Sequence, residues 1–298
     1  MNFFDIKTGI FLLLNCTIML MGNTTQGQHT TTSDPNFHIY LCFGQSNMEG
    51  FAPIEEEDRQ VNPRALVFQT VDCDNLKRKK GEWYTAVPPL ANCYYNEKVG
   101  LSPSNSFVNT LVKSLPDSIK VGIINVAVAG CDIRLFDKDQ YQQYFDTYDP
   151  DHWFRNKISA YQNHPYQHLV DFALKAQKQG VIKGIVLHQG ETNNGTPDRE
   201  KWPEYVQKIY LDLITDLALN KETPLLVGEL VDEQQDGVEA TMNAVIQTLP
   251  SKLKQAHVIS SEGCKAQDDN AHFTSEGVRL LGQRYAEKML QLLDEEKI

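Results

Sequence analysis

The chain has 298 residues, 41% of them hydrophobic, and a formal net charge of −11. That is apolar material for one large core, with no low-complexity linker or internal repeat to divide it. The charge excludes a nucleic-acid partner, which needs a broad positive surface, and at long range it disfavours acidic ligands.

The chain opens with an apolar stretch from Ile10 to Gly22, preceded by Lys7 and followed by small polar residues. Thirteen residues are short for a membrane span and suit the apolar centre of a secretory signal. Asp5 weakens the basic flank, and Asn15 beside Cys16 fits a lipoprotein signal poorly. Cleavage around Thr25-x-Gly27 would leave one domain over residues 28–298, secreted or periplasmic, without stable membrane insertion.

An apolar strand predicted over 37–43 runs into Gly44-Gln45-Ser46-Asn47-Met48-Glu49-Gly50, a glycine-bracketed turn with a serine at its tip. The acidic run Glu55 to Asp58 reads as an exposed loop, a second strand is expected over 65–70, and the basic run Lys77 to Lys80 reads as solvated. Helix 104–115 leads to strand 119–126, after which Val126-Ala127-Val128-Ala129-Gly130 brings a glycine N–H to close range. Helix 164–179 precedes strand 181–187, which ends in His188-Gln189-Gly190-Glu191-Thr192-Asn193. Helix 200–220, strand 224–230, helix 236–249 and strand 256–260 follow. A last helix over 275–294 is capped by Thr274 and carries Val278, Leu281, Tyr285, Met289 and Leu292 at helical spacing. Strands alternating with helices predict an α/β protein: a parallel sheet, helices on both faces, and strand ends converging on one edge.

A serine hydroxyl becomes a nucleophile only when a base takes its proton and fixed donors receive the oxyanion. Asp269 and His272 lie three apart before the last helix, a spacing that lets the carboxylate hold imidazole Nδ1 while Nε2 faces Ser46. Asp268, four before the histidine, is the rival orienter. His152 also follows an aspartate by three, but in a polar, aromatic stretch with no strand before it, which reads as a substrate-facing loop. No His-Glu-x-x-His or Cys-x-x-Cys occurs, nor a phosphate-binding or dinucleotide-binding glycine motif, so neither metal nor cofactor is expected.

Segments 71–103 and 131–163 lack periodicity and hold Trp83, Tyr94, Tyr95, Tyr141, Tyr144, Tyr148, Trp153 and Tyr161. These aromatics either stack on sugar rings or pack on one another. Once Cys16 is removed with the leader, five cysteines remain, an odd number. Cys73 with Cys93 and Cys131 with Cys264 are the candidate pairs, and Cys42 reads as a small buried hydrophobe.

The Gly-Gln-Ser-Asn-Met-Glu-Gly turn, the His-Gln-Gly-Glu-Thr-Asn block and the closing Asp269-x-x-His272 resemble the SGNH hydrolases, within them the sialate O-acetylesterase-like branch that includes the family 6 carbohydrate esterases. The likeness runs from about residue 37 to 292. It implies a flavodoxin-like three-layer α/β/α sandwich, with Ser46 as nucleophile, His272 as general base and acid, and Asp269 as its orienter. The N–H groups of Ser46 and Gly130 would receive the oxyanion. The superfamily's asparagine donor, two residues after the third-block glycine, is Thr192 here. In this branch the Gln-Gly-Glu pattern implies that Gln189 takes that role, with Asn193 as the substitute. Gln45 and Asn47 flank the nucleophile as supports, and Glu191 is read as a buried brace and not as an acid catalyst. The implied activity is removal of O-acetyl groups from a carbohydrate through an acetyl-enzyme. Acetylated xylan or related plant glycans come first as substrate, O-acetylated sialic acid second, and an idle glycan-binding protein on the same fold third. The oligomeric state is not indicated.

Overall fold

Eight nearly unbroken apolar residues make β1 (Phe37–Gly44) a strand suited to the middle of a sheet. It lies there in the computed structural model, which describes residues 33–93 and 99–295. The expected leader over 1–27, and Tyr94 and Tyr95, lie outside the described residues.

Strands β2 (Ala52–Pro53), β3 (Ala65–Phe68), β4 (Trp83–Thr85), β5 (Val99–Leu101), β6 (Lys120–Ala127), β7 (Val181–His188), β8 (Leu225–Gly228) and β9 (Ala256–Ile259) follow. Seven strands form one sheet in the order β4-β3-β6-β1-β7-β8-β9, while β2 and β5 pair apart from it. Every neighbouring pair in the large sheet is parallel except β3 with β4. The sheet is thus mixed and mostly parallel, a correction to the all-parallel expectation. Three residues suffice for β4 because Trp83 anchors it, its ring packing 4.7 Å from both Phe37 and Phe68.

The helices are α1 (Ser46–Glu49), α2 (Pro103–Ser114), α3 (Tyr141–Phe145), α4 (Trp153–Ser159), α5 (Pro165–Ala176), α6 (Glu191–Asn194), α7 (Trp202–Asp216), α8 (Met242–Ile246), α9 (Leu249–Lys252) and α10 (Ser275–Glu295). Because strand side chains alternate, β1 serves two cores. Ile39, Leu41 and Phe43 meet α5, α7 and α8, whereas Tyr40 and Cys42 meet α2 and α10. The result is a three-layer α/β/α sandwich.

Two helix expectations change. Residues 236–249 do not form one helix: Gly237 N–H closes a turn onto the Asp232 carbonyl and Asp236 takes φ +56°, so only the short α8 and α9 remain. On α10 the buried stripe ends at Leu293, with Leu292 half-buried beside it. Cys73 and Cys93 are disulfide-bonded, Cα atoms 5.6 Å apart. The other candidate pair does not form; Cys131 and Cys264 are both free and buried, as is Cys42. Among the described residues no helix is long and apolar enough to cross a membrane.

Candidate active site

The chain leaves β1 toward neighbours on opposite sides, β6 and β7, and such a reversal opens a crevice at the carboxyl ends of the strands. Ser46 follows β1, Gly130 follows β6, and the Gln189 to Asn193 block follows β7, so the sheet delivers three separate segments to one place.

Ser46 Oγ lies 2.9 Å from His272 Nε2, and His272 Nδ1 lies 2.6 Å from Asp269 Oδ2. With Nδ1–H donating to the carboxylate, Nε2 is the acceptor that faces the serine hydroxyl. Asp269 and His272 sit in a turn and not in a helix. Asp269 Oδ1 accepts the N–H groups of Ala271 (3.0 Å) and His272 (2.9 Å), so the carboxylate folds the chain around itself. Partial burial pushes the Asp269 carboxyl up, but the His272 ring and these two N–H donors outweigh it and hold it below the ordinary range. Asp268 is exposed to solvent. Phe51 covers the imidazole face, stacked at 4.3 Å and 13°.

Around this line is a buried amide network. Asn47 Nδ2 donates to Glu191 Oε1 (2.8 Å) and to the Ala271 carbonyl (3.1 Å), while its Oδ1 accepts from Phe273 N–H (3.2 Å). The histidine loop is thereby tied to the helix that carries Ser46. Gln45 Oε1 accepts from Gln189 Nε2 (3.0 Å) and Thr192 N–H (3.3 Å). Glu191 is buried as expected, and loss of hydration raises its pKa against the opposing Asn47 bond.

Gln189 stands apart from its expected role. It is fully buried; its Nε2 faces Gln45 Oε1, the Cys131 carbonyl (3.0 Å) and Asn193 Oδ1 (2.7 Å), and its Oε1 accepts from Trp202 Nε1 (2.6 Å). An amide has two N–H donors, and here both are consumed inside the protein. Asn193 Oδ1 accepts from Ile133 N–H at 2.9 Å as well as from Gln189. Both side chains brace the strand ends, and neither lines the cavity in front of Ser46.

That cavity, about 300 Å³, is walled chiefly by Ser46, Phe51, Gly130, Trp153, Lys157 and His272. Gly130 sits in a turn closed by Cys131 N–H on the Val128 carbonyl, at φ +78°, a conformation that favours glycine. Neither Ser46 N–H nor Gly130 N–H has a main-chain partner among the described residues, which leaves both available to an oxyanion. A larger cavity of about 560 Å³ lies near Gly180 and Asn220, at the other edge of the sheet, away from the triad.

Most of the loop aromatics pack on protein. Tyr161 is fully buried, Tyr141 stacks on His164, and Tyr144, Tyr148 and Phe154 pack together. Trp153 is the exception, 59% exposed on the cavity wall. His152 caps α4, its Nδ1 accepting from Phe154 N–H at 3.3 Å. Asp137, Asp139 and Asp212 gather as a cation site would, but the Lys208 ammonium already sits 2.7–2.8 Å from all three. Glu49, Phe51 and Lys157 carry no expectation from the sequence. An acid three residues after Ser46 was a legible signal, whereas Lys157 reaches the cavity only through the fold.

A family model described as carbohydrate esterase, sialic acid-specific acetylesterase, matches residues 36–291. The chain belongs to this family. It is a carboxylic-ester hydrolase, an enzyme of the carbohydrate O-acetylesterase type. The match reverses the substrate order expected from the motifs, placing sialic acid ahead of xylan. Solved structures share the esterase's fold at low identity. A protein of Arabidopsis thaliana superposes with a TM-score of 0.66 at 20% identity, covering 87% of this chain and 99% of its own. The protein NanS gives 0.63 at 16%, covering 88% and 99%. A carbohydrate acetylesterase from Xanthomonas citri gives 0.58 at 18%, covering 83% of this chain and 54% of its own.

Proposed function

We propose that the enzyme removes O-acetyl groups from sialic acids by a serine mechanism, on the flavodoxin-like fold of the SGNH hydrolases. The observation that carries the chemistry is the unbroken line from Asp269 through His272 to Ser46, in front of a cavity with two N–H groups that have no main-chain partner among the described residues. The family description supports the substrate. The order β6-β1-β7-β8-β9, which is 2-1-3-4-5 when those five strands are numbered along the chain, supports the fold assignment.

Ser46 Oγ attacks the acetyl carbonyl as His272 Nε2 takes its proton, and the carbonyl oxygen becomes an oxyanion facing the Ser46 and Gly130 N–H groups. Collapse breaks the bond to the sugar oxygen, which leaves with the proton from His272. Water then gives its proton to His272 and attacks the acetyl-enzyme, releasing acetate and restoring Ser46. Asp269 holds the required tautomer and stabilises the imidazolium. Trp153, exposed beside Gly130, is placed to stack on the sugar. The apolar Ile10 to Gly22 stretch supports an exported catalytic domain.

The test is acetate release from an O-acetylated sialic acid and from acetylated xylan, each with Ser46→Ala as control. The expected kcat/KM for the sialate is at least about tenfold above that for xylan, and release vanishes in the variant. Faster release from xylan would overturn the substrate assignment. Release that persists without Ser46 would overturn the mechanism.

A further inference from the structure

Glu49 ends the nucleophile helix, yet no step of the ester chemistry uses it. Only 1% exposed, its carboxylate draws donors from three distant parts of the chain. Asn92 Nδ2 meets Oε1 at 2.5 Å, while Lys157 Nζ (3.1 Å) and Ala129 N–H both meet Oε2. A carboxylate buried this deeply is costly unless it is paired and hydrogen-bonded, and forming the turn alone does not call for one.

The Ala129 bond shows what this carboxylate holds. Ala129 and Gly130 are the middle residues of the turn whose ends are joined by Cys131 N–H and the Val128 carbonyl, and Val128 N–H is in turn held by the Gly44 carbonyl. Gly130 takes the positive φ that a type II turn requires at its third position. The outer bonds leave the middle of the turn to be fixed by a contact of its own, and Glu49 supplies it from the helix that carries Ser46. Lys157, on the cavity wall, balances the charge.

We propose that Glu49 is a positioning residue for the oxyanion hole. Its carboxylate, held by Lys157, locks the Ala129–Gly130 corner to the nucleophile helix so that Gly130 N–H and Ser46 N–H converge on one oxygen. The inference rests on the reading of Gly130 N–H as an oxyanion donor.

Glu49→Gln replaces one carboxylate oxygen by an N–H donor and removes the charge that Lys157 pairs with, so the three donors that now converge on the carboxylate are no longer all served as they stand. Turnover of 4-nitrophenyl acetate should fall about 10- to 100-fold, below the roughly 100- to 1,000-fold cost of deleting an oxyanion donor outright, with KM changed by less than about threefold. Affinity for phenylboronic acid, whose tetrahedral adduct on Ser46 places an oxygen in the same hole, should fall in parallel. Lys157→Met should show a smaller loss of the same kind, and Lys157→Arg should recover it. If Glu49→Gln does not fold, the two Lys157 variants carry the test.

Unchanged kcat in a folded Glu49→Gln would overturn the proposal. So would a fall in kcat with boronate affinity intact, or a rise in KM alone, which would make the pair a substrate contact. Ser46→Ala separates the two layers: if it keeps activity, the serine mechanism fails, whereas a dead Ser46→Ala beside a fully active Glu49→Gln refutes the positioning role alone.

Discussion

Glu191 shows how one side chain can be read from sequence in kind but not in charge. Its Oε1 holds Asn47, yet its Oε2 is buried with no hydrogen-bond partner among the described residues. His188 Nε2 lies 3.8 Å from Oε1 but offers no cation, because complete burial pushes that imidazole down to about 3. Desolvation outweighs the Asn47 bond, and Glu239 adds to it, so the carboxyl is held above its ordinary range. An acid whose folded pKa is raised adds stability below its unfolded value and loses it as pH rises through the folded value. Glu191→Gln keeps an acceptor for Asn47 and removes the titration. The melting temperature of the variant minus that of the wild type should therefore become steadily more positive from about pH 4 to pH 8; a flat difference would mean that the carboxylate is not destabilised by burial. Activity should stay within about tenfold, since a brace needs only the acceptor, whereas a true acid–base catalyst would cost about 100-fold or more. The triad residues were legible because their spacing is local to two short motifs. The engagement of Gln189 was not, because its partners Gln45, Cys131 and Trp202 come from three other parts of the chain.

At the level of elements, the clearest dependence is where β7, β8 and α10 meet. Gly228 ends β8, and a Cβ there would lie 2.2 Å from Tyr285 Oη and 2.6 Å from His188 Nδ1. Tyr285 cannot yield freely, since it is fully buried and its hydroxyl donates to the Leu187 carbonyl at 2.8 Å. Gly228→Ala should cost about 1–3 kcal/mol through overpacking, lowering the melting temperature by roughly 3–10 °C. Adding Tyr285→Phe removes the nearer of the two atoms in the way and leaves His188 Nδ1, so the double variant should be less destabilised than the sum of the singles; strict additivity in thermal unfolding would refute the clash with Tyr285. The same junction shows why the long elements were readable. β1, β6 and β7 are buried on both faces and read as apolar runs, while α10 is buried along one face and carries a strong helical period. β4 and the β2–β5 pair are too short to have a period, and the expected helix 236–249 ignored the Asp236-Gly237 turn that prevents it.

For the whole molecule, the charge of −11 bears directly on the substrate. An anionic sialoside approaches against the protein's long-range field, and salt shortens that field from a range of about 30 Å at 10 mM to about 10 Å at 0.1 M. Across this interval kcat/KM for an O-acetylated sialic acid should rise, while that for a neutral aryl acetate stays level; a fall for the sialate would mean that local attraction in the cavity outweighs the global charge. Motif spacing, with the family likeness it carries, determined which serine, histidine and aspartate to bring together, since Asp269 and His272 lie a few positions apart and Ser46 follows a strand whose apolar run announces itself. Which N–H groups stand at the cavity, that Gln189 is spent as a brace, that Lys157 and Glu49 meet behind Gly130, and that Trp153 alone of the described loop aromatics is left open were decided by tertiary structure. Each depends on atoms brought together from segments far apart in the chain, and a hydrogen-bond donor's fate is known only when all its neighbours are.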